Sequence, residues 1–249
     1  MMTAVAWPPP PAAPRLSPAE VHVWRVELEP PDAVISDLRN SLSHDERDRA
    51  DHFVFDRDRR RFTVAHGILR AVLARYHRVE PADMAFETAR AGKPHLAPSR
   101  HGRFLQFNLS HSRGLALVAV TSGCEIGVDL EWLNDAVDID QVASVVFSPV
   151  EIALMNRLAE PQKREAFFNG WTRKEAIVKA LGAGLGYPVQ QLTVSIAPNE
   201  PVRLKRADRD AMSPSRWTLE ALSPGQGYVA AVAHRGPRRT LRLWQWSFD

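Results

Sequence analysis

The chain echoes itself at an offset of 105 residues. Ser43 and Ser148, Glu46 and Glu151, Arg59 and Arg164, Phe62 and Phe167, and Ala71 and Ala176 are identical pairs at that single shift, and Val21–Val23 falls on Ile126–Val128. The order of signals also recurs: a strand, a short helix opened by a Ser-x-x-Glu capping box, a long amphipathic helix, then further strands. The chain therefore reads as α+β, with two pseudo-equivalent halves, each a small antiparallel sheet packed by helices. An active site is expected in the cleft between such halves. Residues 19–121 form the N-terminal half on this reading and 122–249 the C-terminal half. Because the repeat supplies two halves within one chain, a monomer is expected.

Residues 1–18, MMTAVAWPPPPAAPRLSP, carry six prolines and lack a basic segment followed by an apolar core, so they read as a flexible or polyproline tail outside the fold and not as a signal peptide. Cys124 is the single cysteine, which excludes a disulfide framework and a cysteine zinc site and points to the cytoplasm. No run approaches the roughly 20 apolar residues of a membrane span. The formal charge is +3 and the isoelectric point about 9.3, with a dense stretch at Asp56-Arg57-Asp58-Arg59-Arg60-Arg61. That balance favours an anionic partner, whether nucleic acid, a phosphorylated small molecule or an acidic protein surface.

Strands are expected at Val21–Leu28, Met84–Thr88, Phe104–Leu109, Leu115–Thr121, Ile126–Trp132, Leu192–Ile196, Trp217–Leu222, Tyr228–Ala233 and Leu241–Phe248. Phe62, Ala65, Leu69, Val72 and Tyr76 make the apolar stripe of the first long helix. The second runs from Arg164 to Leu181 and stops at Gly182.

In Ile126-Gly127-Val128-Asp129-Leu130-Glu131 the acids share one parity, so both carboxylates leave the same face of a strand. An amphipathic strand with its polar face in water fits that pattern too. Glu175 and Lys179, four apart, lie together on the flank of the second long helix, as an ordinary surface pair would. If Glu175 faces the strand, three hard oxygen donors converge beside an ammonium, a set that suits Mg²⁺ on a phosphate, with Mn²⁺ as a substitute. Asn108-Leu109-Ser110-His111-Ser112 ends a strand with donors suited to an anion. Arg57 and Arg59–Arg61 open the first long helix, where the macrodipole disfavours cations and an anion nearby would offset the cost. Lys93, in the turn Gly92-Lys93-Pro94, reads on its own as a solvated charge.

Taken in order, Gly92-Lys93-Pro94, Asn108–Ser112, Ile126–Glu131, Phe147-Ser148-Pro149-x-Glu151 and Trp171–Gly182 resemble the segments of the Sfp-type 4′-phosphopantetheinyl transferases. The resemblance implies a pseudo-twofold fold with coenzyme A bound between the halves and Mg²⁺ on its pyrophosphate. It implies a holo-[acyl-carrier-protein] synthase, which moves the 4′-phosphopantetheine arm to a serine of an acyl or peptidyl carrier protein and releases 3′,5′-ADP. Asp129, Glu131 and Glu175 match the metal ligands, Glu175 and Lys179 the catalytic pair, and Lys179 also a phosphate contact. Lys93, Ser110 and His111 match coenzyme contacts, with His111 near the 3′-phosphate, and Arg59 and Arg60 stand where the N-terminal basic contacts fall. The carrier is expected to be acidic, steered by Lys163, Arg164 and Arg173. Two other readings remain at this point: a non-catalytic homologue that binds coenzyme A or a carrier, and a basic nucleic-acid-binding protein. The transferase reading, which involves neither nucleic acid nor membrane, alone accounts for the acids.

Overall fold

β1 (Glu20–Glu27) buries Val21, Val23, Trp24 and Val26, and Trp24 and Val26 enter a core with Leu28 at the strand's end. The structure is a computed structural model that describes residues 6–11, 13–89, 92–97, 105–207 and 213–248. Residues 1–5 and 12 of the tail, and Phe104 at the expected start of a strand, lie outside the described residues.

The described residues divide into two compact units, one drawn from 6–88, 94–123 and 240–248 and the other from 89–93 and 124–239. In the first unit β4 (Leu105–Ser112) and β5 (Leu115–Ser122) form a hairpin that pairs with β1, and β11 (Thr240–Gln245) completes a sheet in the order β11-β1-β5-β4. Helices α1 (Asp32–Ser41), α2 (His44–Asp51) and α3 (Asp56–His77) precede the hairpin, and the stripe Phe62, Ala65, Leu69, Val72 and Tyr76 is buried along α3 as its spacing predicts. A short ladder joins β2 (Phe86–Thr88) to β3 (Pro94–Leu96).

The second unit repeats the plan. Its sheet runs β6-β10-β9, from β6 (Ile126–Trp132), β9 (Trp217–Leu222) and β10 (Tyr228–Arg235), all antiparallel. Helices α4 (Ile139–Val146), α5 (Pro149–Met155) and α6 (Gln162–Leu181) stand in the places of α1 to α3, and the paired elements begin 105 to 107 residues apart. A second short ladder joins β7 (Leu192–Val194) to β8 (Leu204–Ala207). Phe147, Phe167, Ile177, Leu192, Ile196 and Ala231 are among the residues of its core. The sequence expectation of two α+β halves thus describes both units. Among the described residues no helix is long and apolar enough to cross a membrane.

Both capping boxes form, and each is tied to the long helix that follows. In the first unit the Ser43 N–H donates to Glu46 (2.9 Å), and Arg70 of α3 donates its Nε–H to the same carboxylate (2.7 Å). In the second, Glu151 accepts from the Ser148 N–H (2.8 Å) and the Val194 N–H (2.8 Å), while the Lys174 ammonium of α6 lies 2.7 Å from it. Lys174 is fully buried and also donates to the carbonyls of Val146 (3.0 Å) and Val189 (3.2 Å). Buried charge is tolerated only when paired and hydrogen-bonded this completely.

Three features depart from the sequence reading. Residues 240–245, expected in the C-terminal half, pair in parallel with β1 and belong to the first unit. Part of the proline-rich segment also packs there: Pro14 is buried, Leu16 lies against the core, and Pro8 accepts the Gln245 N–H (2.8 Å). Proline has no N–H to give but keeps its carbonyl, so it can cover an edge strand by accepting alone. Helices α1 and α4 were not expected, since α1 begins after two prolines and buries Ile35 alone, and α4 is two turns long.

Burial alone pushes the Glu46 carboxyl up, yet hydrogen bonds from His66, the Ser43 N–H and Arg70 reverse this and hold it at about 2. A lowered folded value contributes stability above the ordinary carboxylate range and loses it as pH falls through the folded value. Glu46→Gln is therefore expected to cost about 2–3 kcal/mol at pH 7. The deficit against wild type should close between about pH 4.5 and pH 2, read from thermal melts across that range.

Candidate active site

At Gly127 the backbones of β6 and α6 approach closely. A Cβ at that position would overlap the Ala176 carbonyl oxygen and the Ala180 nitrogen and would sit 3.0 Å from the Lys179 carbonyl carbon. Only glycine lets the strand backbone touch the helix backbone there. The parity that points Gly127 at α6 also points Asp129 and Glu131 at it, while Ile126, Val128 and Leu130 are buried on the other parity. The alternation therefore does not mark a face in water: Asp129 is 3% exposed.

The Lys179 ammonium donates to Asp129 Oδ1 at 2.6 Å. Glu175, one turn earlier on α6, is partly buried. Its carboxyl is pushed above the ordinary range by burial first and by the charge of Asp129 second, with Lys179 opposing both. Two acids and an ammonium thus share one seam. Glu131 is partly exposed near the end of β6, opposite Val229 of β10. Among the described residues no three His, Cys, Asp or Glu side chains are gathered closely enough to hold a metal. The expected three-carboxylate centre is therefore not assembled as such, and Lys179 is the cation on Asp129. The donor chemistry still fits a hard, oxygen-seeking cation at Asp129 and Glu175, whose like charges raise the protonation tendency of Glu175.

The first unit has none of these groups at the matching positions. At the 105-residue offset Asp129 falls on Trp24, Glu131 on Val26, Glu175 on Arg70 and Lys179 on Ala74. There Trp24 donates its indole N–H to the Tyr76 hydroxyl (2.9 Å), which lies 2.7 Å from His22 Nδ1. One half keeps an aromatic core where the other holds charge.

The remaining expected site residues divide between the units. Ser110 and His111 lie on β4 beside the hairpin turn at Arg113, and as strand neighbours they point to opposite faces: Ser110 is buried and His111 exposed. Arg59 pairs with Asp56, Arg60 with Asp32, and Arg61 with Glu29 (2.5 Å), so the cationic start of α3 is already offset by acids. Lys93 belongs to the second unit. Its ammonium donates to the carbonyls of Ile126 (2.8 Å) and Ala180 (3.0 Å), and burial brings it down to about 8.

Of the cations expected to steer a partner, Lys163 pairs with Asp140 (2.6 Å) and Arg164 donates to the Asn134 carbonyl (2.8 Å). Arg173 is 4% exposed and donates to the Ser195 carbonyl at 2.5 Å, so it is not a surface charge. Its place on α6 next to Lys174 carried no sequence sign of burial beyond the neighbouring stripe. The structural parts played by Gly127 and by the Glu151–Lys174 pair also went unread. A small residue on the acidic parity of a strand was the available signal for the first, and the capping-box glutamate for the second.

A family model described as the 4′-phosphopantetheinyl transferase superfamily matches residues 125–233, and one described as 4′-phosphopantetheinyl transferase, N-terminal, matches residues 27–123. The chain is 39% identical over 240 residues to the 4′-phosphopantetheinyl transferase HetI of Nostoc sp. (strain PCC 7120 / SAG 25.82 / UTEX 2576), covering 96% of this chain and 98% of that protein. It is 25% identical over 195 residues to the 4′-phosphopantetheinyl transferase Sfp of Bacillus subtilis (strain 168), covering 78% and 83%. It is 22% identical over 210 residues to the L-aminoadipate-semialdehyde dehydrogenase-phosphopantetheinyl transferase of Homo sapiens, covering 79% and 68%.

Gly127→Ala is expected to force β6 and α6 apart at a cost of about 3 kcal/mol, lowering Tm by about 6–12 °C. Gly186→Ala, where an added Cβ meets nothing within 4 Å, should leave the melt within about 2 °C of wild type. Equal melts for the two variants would show that the close approach is not a constraint.

Proposed function

Since the chain belongs to the 4′-phosphopantetheinyl transferase superfamily, we propose that it transfers the phosphopantetheine arm of coenzyme A to a serine of an acyl or peptidyl carrier protein, giving holo-carrier and 3′,5′-ADP. The observation that carries this reading is the seam of β6 and α6, where Asp129, Glu175 and Lys179 meet. We take the enzyme to act as a monomer in the cytoplasm.

In the reaction the carrier serine oxygen bonds to the β-phosphorus as the bond to the 3′,5′-ADP leaving group breaks, and the serine gives up its proton. Lys179 is the cation available to the charge that develops on the leaving phosphate. It would exchange its contact with Asp129 for one with the phosphate. Asp129 and Glu175, with Glu131 on the same strand face, would hold Mg²⁺, which supplies charge neutralisation of the pyrophosphate when bound. Glu175 is the proposed proton acceptor, directly or through a water. A carboxylate on a metal is a weak base, so transfer of the proton through a water is the favoured form of that role. In the first unit, Ser110 and exposed His111 are the proposed contacts to the coenzyme, with His111 on the 3′-phosphate. Arg59 and Arg60 would reach it by exchanging Asp56 and Asp32 for phosphate oxygens.

Incubation with apo-carrier domains, coenzyme A and Mg²⁺ is expected to add the mass of one phosphopantetheine, read by mass spectrometry. Asp129→Ala and Glu175→Ala are each expected to cut turnover by at least about 100-fold with the fold retained. Glu131→Ala should be milder, since water can replace one ligand of an octahedral ion. Full activity in the presence of a chelator would make the acids structural and end the metal proposal. His111→Ala is expected to raise KM for coenzyme A and to remove most of the preference for coenzyme A over its 3′-dephospho form. An unchanged preference would place His111 elsewhere.

A further inference from the structure

Lys93 sits on a tight turn that fixes its own backbone. Gly92 has φ +90° and donates to the Ala89 carbonyl (2.8 Å), and Ala89 donates back to the Lys93 carbonyl (3.0 Å). From that turn the side chain runs past Gly182, where an added Cβ would lie 3.3 Å from Lys93 Cδ. Its ammonium ends between two carbonyls, those of Ile126 and Ala180.

These two acceptors are informative. Ile126 precedes Gly127, the point where strand and helix touch, and Ala180 follows Lys179. Helix α6 ends at Gly182 in the left-handed region (φ +63°), with the Gly182 N–H on the Lys179 carbonyl (3.2 Å) and the Ala183 N–H on that of Val178 (3.3 Å). The backbone thus satisfies two of the last carbonyls of α6, and Lys93 satisfies that of Ala180 from outside the helix. A cation at this end also complements the helix dipole. The contact spans strand and helix on either side of the Asp129–Lys179 pair.

We propose that Lys93 is a positioning residue: by capping α6 and binding the start of β6 together, it holds Lys179 in register with Asp129. The proposal rests on the transferase reading of that pair and differs from the phosphate contact that the family resemblance assigns to Lys93. A phosphate contact would act on coenzyme binding, whereas a positioning residue acts on turnover through Lys179.

Lys93→Met keeps the aliphatic stem against Gly182 and removes the donors. Per active site counted by coenzyme A binding, kcat is expected to fall about tenfold with KM for coenzyme A within about two-fold of wild type. In a Lys179→Met background the same substitution is expected to cost less than about two-fold, because the group it positions is gone. Hydrogen exchange of the amides from Ala176 to Gly182 should quicken, with β4 and β5 unchanged. A rise in KM for coenzyme A at intact kcat, or losses that multiply in full in the double variant, overturns the proposal. Unchanged exchange at the end of α6 overturns it as well, and this readout needs no carrier or catalysis. Should Lys93→Met not fold, Lys93→Gln, which retains an amide donor without the charge, goes through the same cycle. Gln near wild-type kcat supports the hydrogen-bonding role, and Gln with only a raised KM for coenzyme A contradicts it. A wild-type protein that modifies no carrier at all would instead remove the transferase reading and leave the exchange result standing.

Discussion

The direct contact of β6 with α6 at Gly127 sets the geometry on which the rest depends. Without a side chain between them, the two backbones are close enough for Lys179 to reach Asp129 at 2.6 Å and for Asp129 to act on Glu175. Any larger residue at 127 would separate strand from helix before it changed any charged group. The apolar residues Ile126, Val128 and Leu130 anchor the strand on its other parity, so the acids are held by packing that they do not themselves supply. Burial makes the charges expensive, and the Lys179 ammonium on Asp129 offsets part of that cost.

The same plan in two units shows what was built twice and what was not. The capping-box glutamate bound to a cation of the long helix occurs in both, with Arg70 in one and Lys174 in the other. That device fastens the short helix to the long one and belongs to the scaffold. The acids and Lys179 occur in one unit only, since Trp24, Val26, Arg70 and Ala74 stand at the matching positions of the other. The proposed chemistry therefore rests on a departure from the repeat. Lys93, outside the long helix, is a further element that the second unit adds at the end of α6.

Much of this could be read in the sequence because it is local. Capping boxes, the stripe of α3, the stop at Gly182 and the alternation of β6 each depend on residues within a few turns of one another. The missed features are non-local. The pairing of β11 with β1 joins residues some 220 positions apart, and no local pattern says which sheet a terminal strand will join. Nor does composition tell that Arg173 turns inward to the Ser195 carbonyl, or that the arginines opening α3 meet Asp32 and Glu29. Lys93 is instructive for the same reason: in a glycine-proline turn it reads as solvated, yet its acceptors lie 33 and 87 residues away. Asp129 was legible as an acid facing Glu175 with an ammonium beside them, and the structure puts that ammonium, Lys179, directly on Asp129.

The central claim is that Asp129 and Lys179 act as one unit at this seam. It is tested most directly by single-turnover transfer to an apo-carrier with Asp129→Asn, Lys179→Met and the double variant, all saturated with coenzyme A and carrier. The account predicts that each single change removes most of the rate and that the double variant is little worse than the slower single. Rates near wild type in either single variant, or losses that multiply in the double, would contradict it.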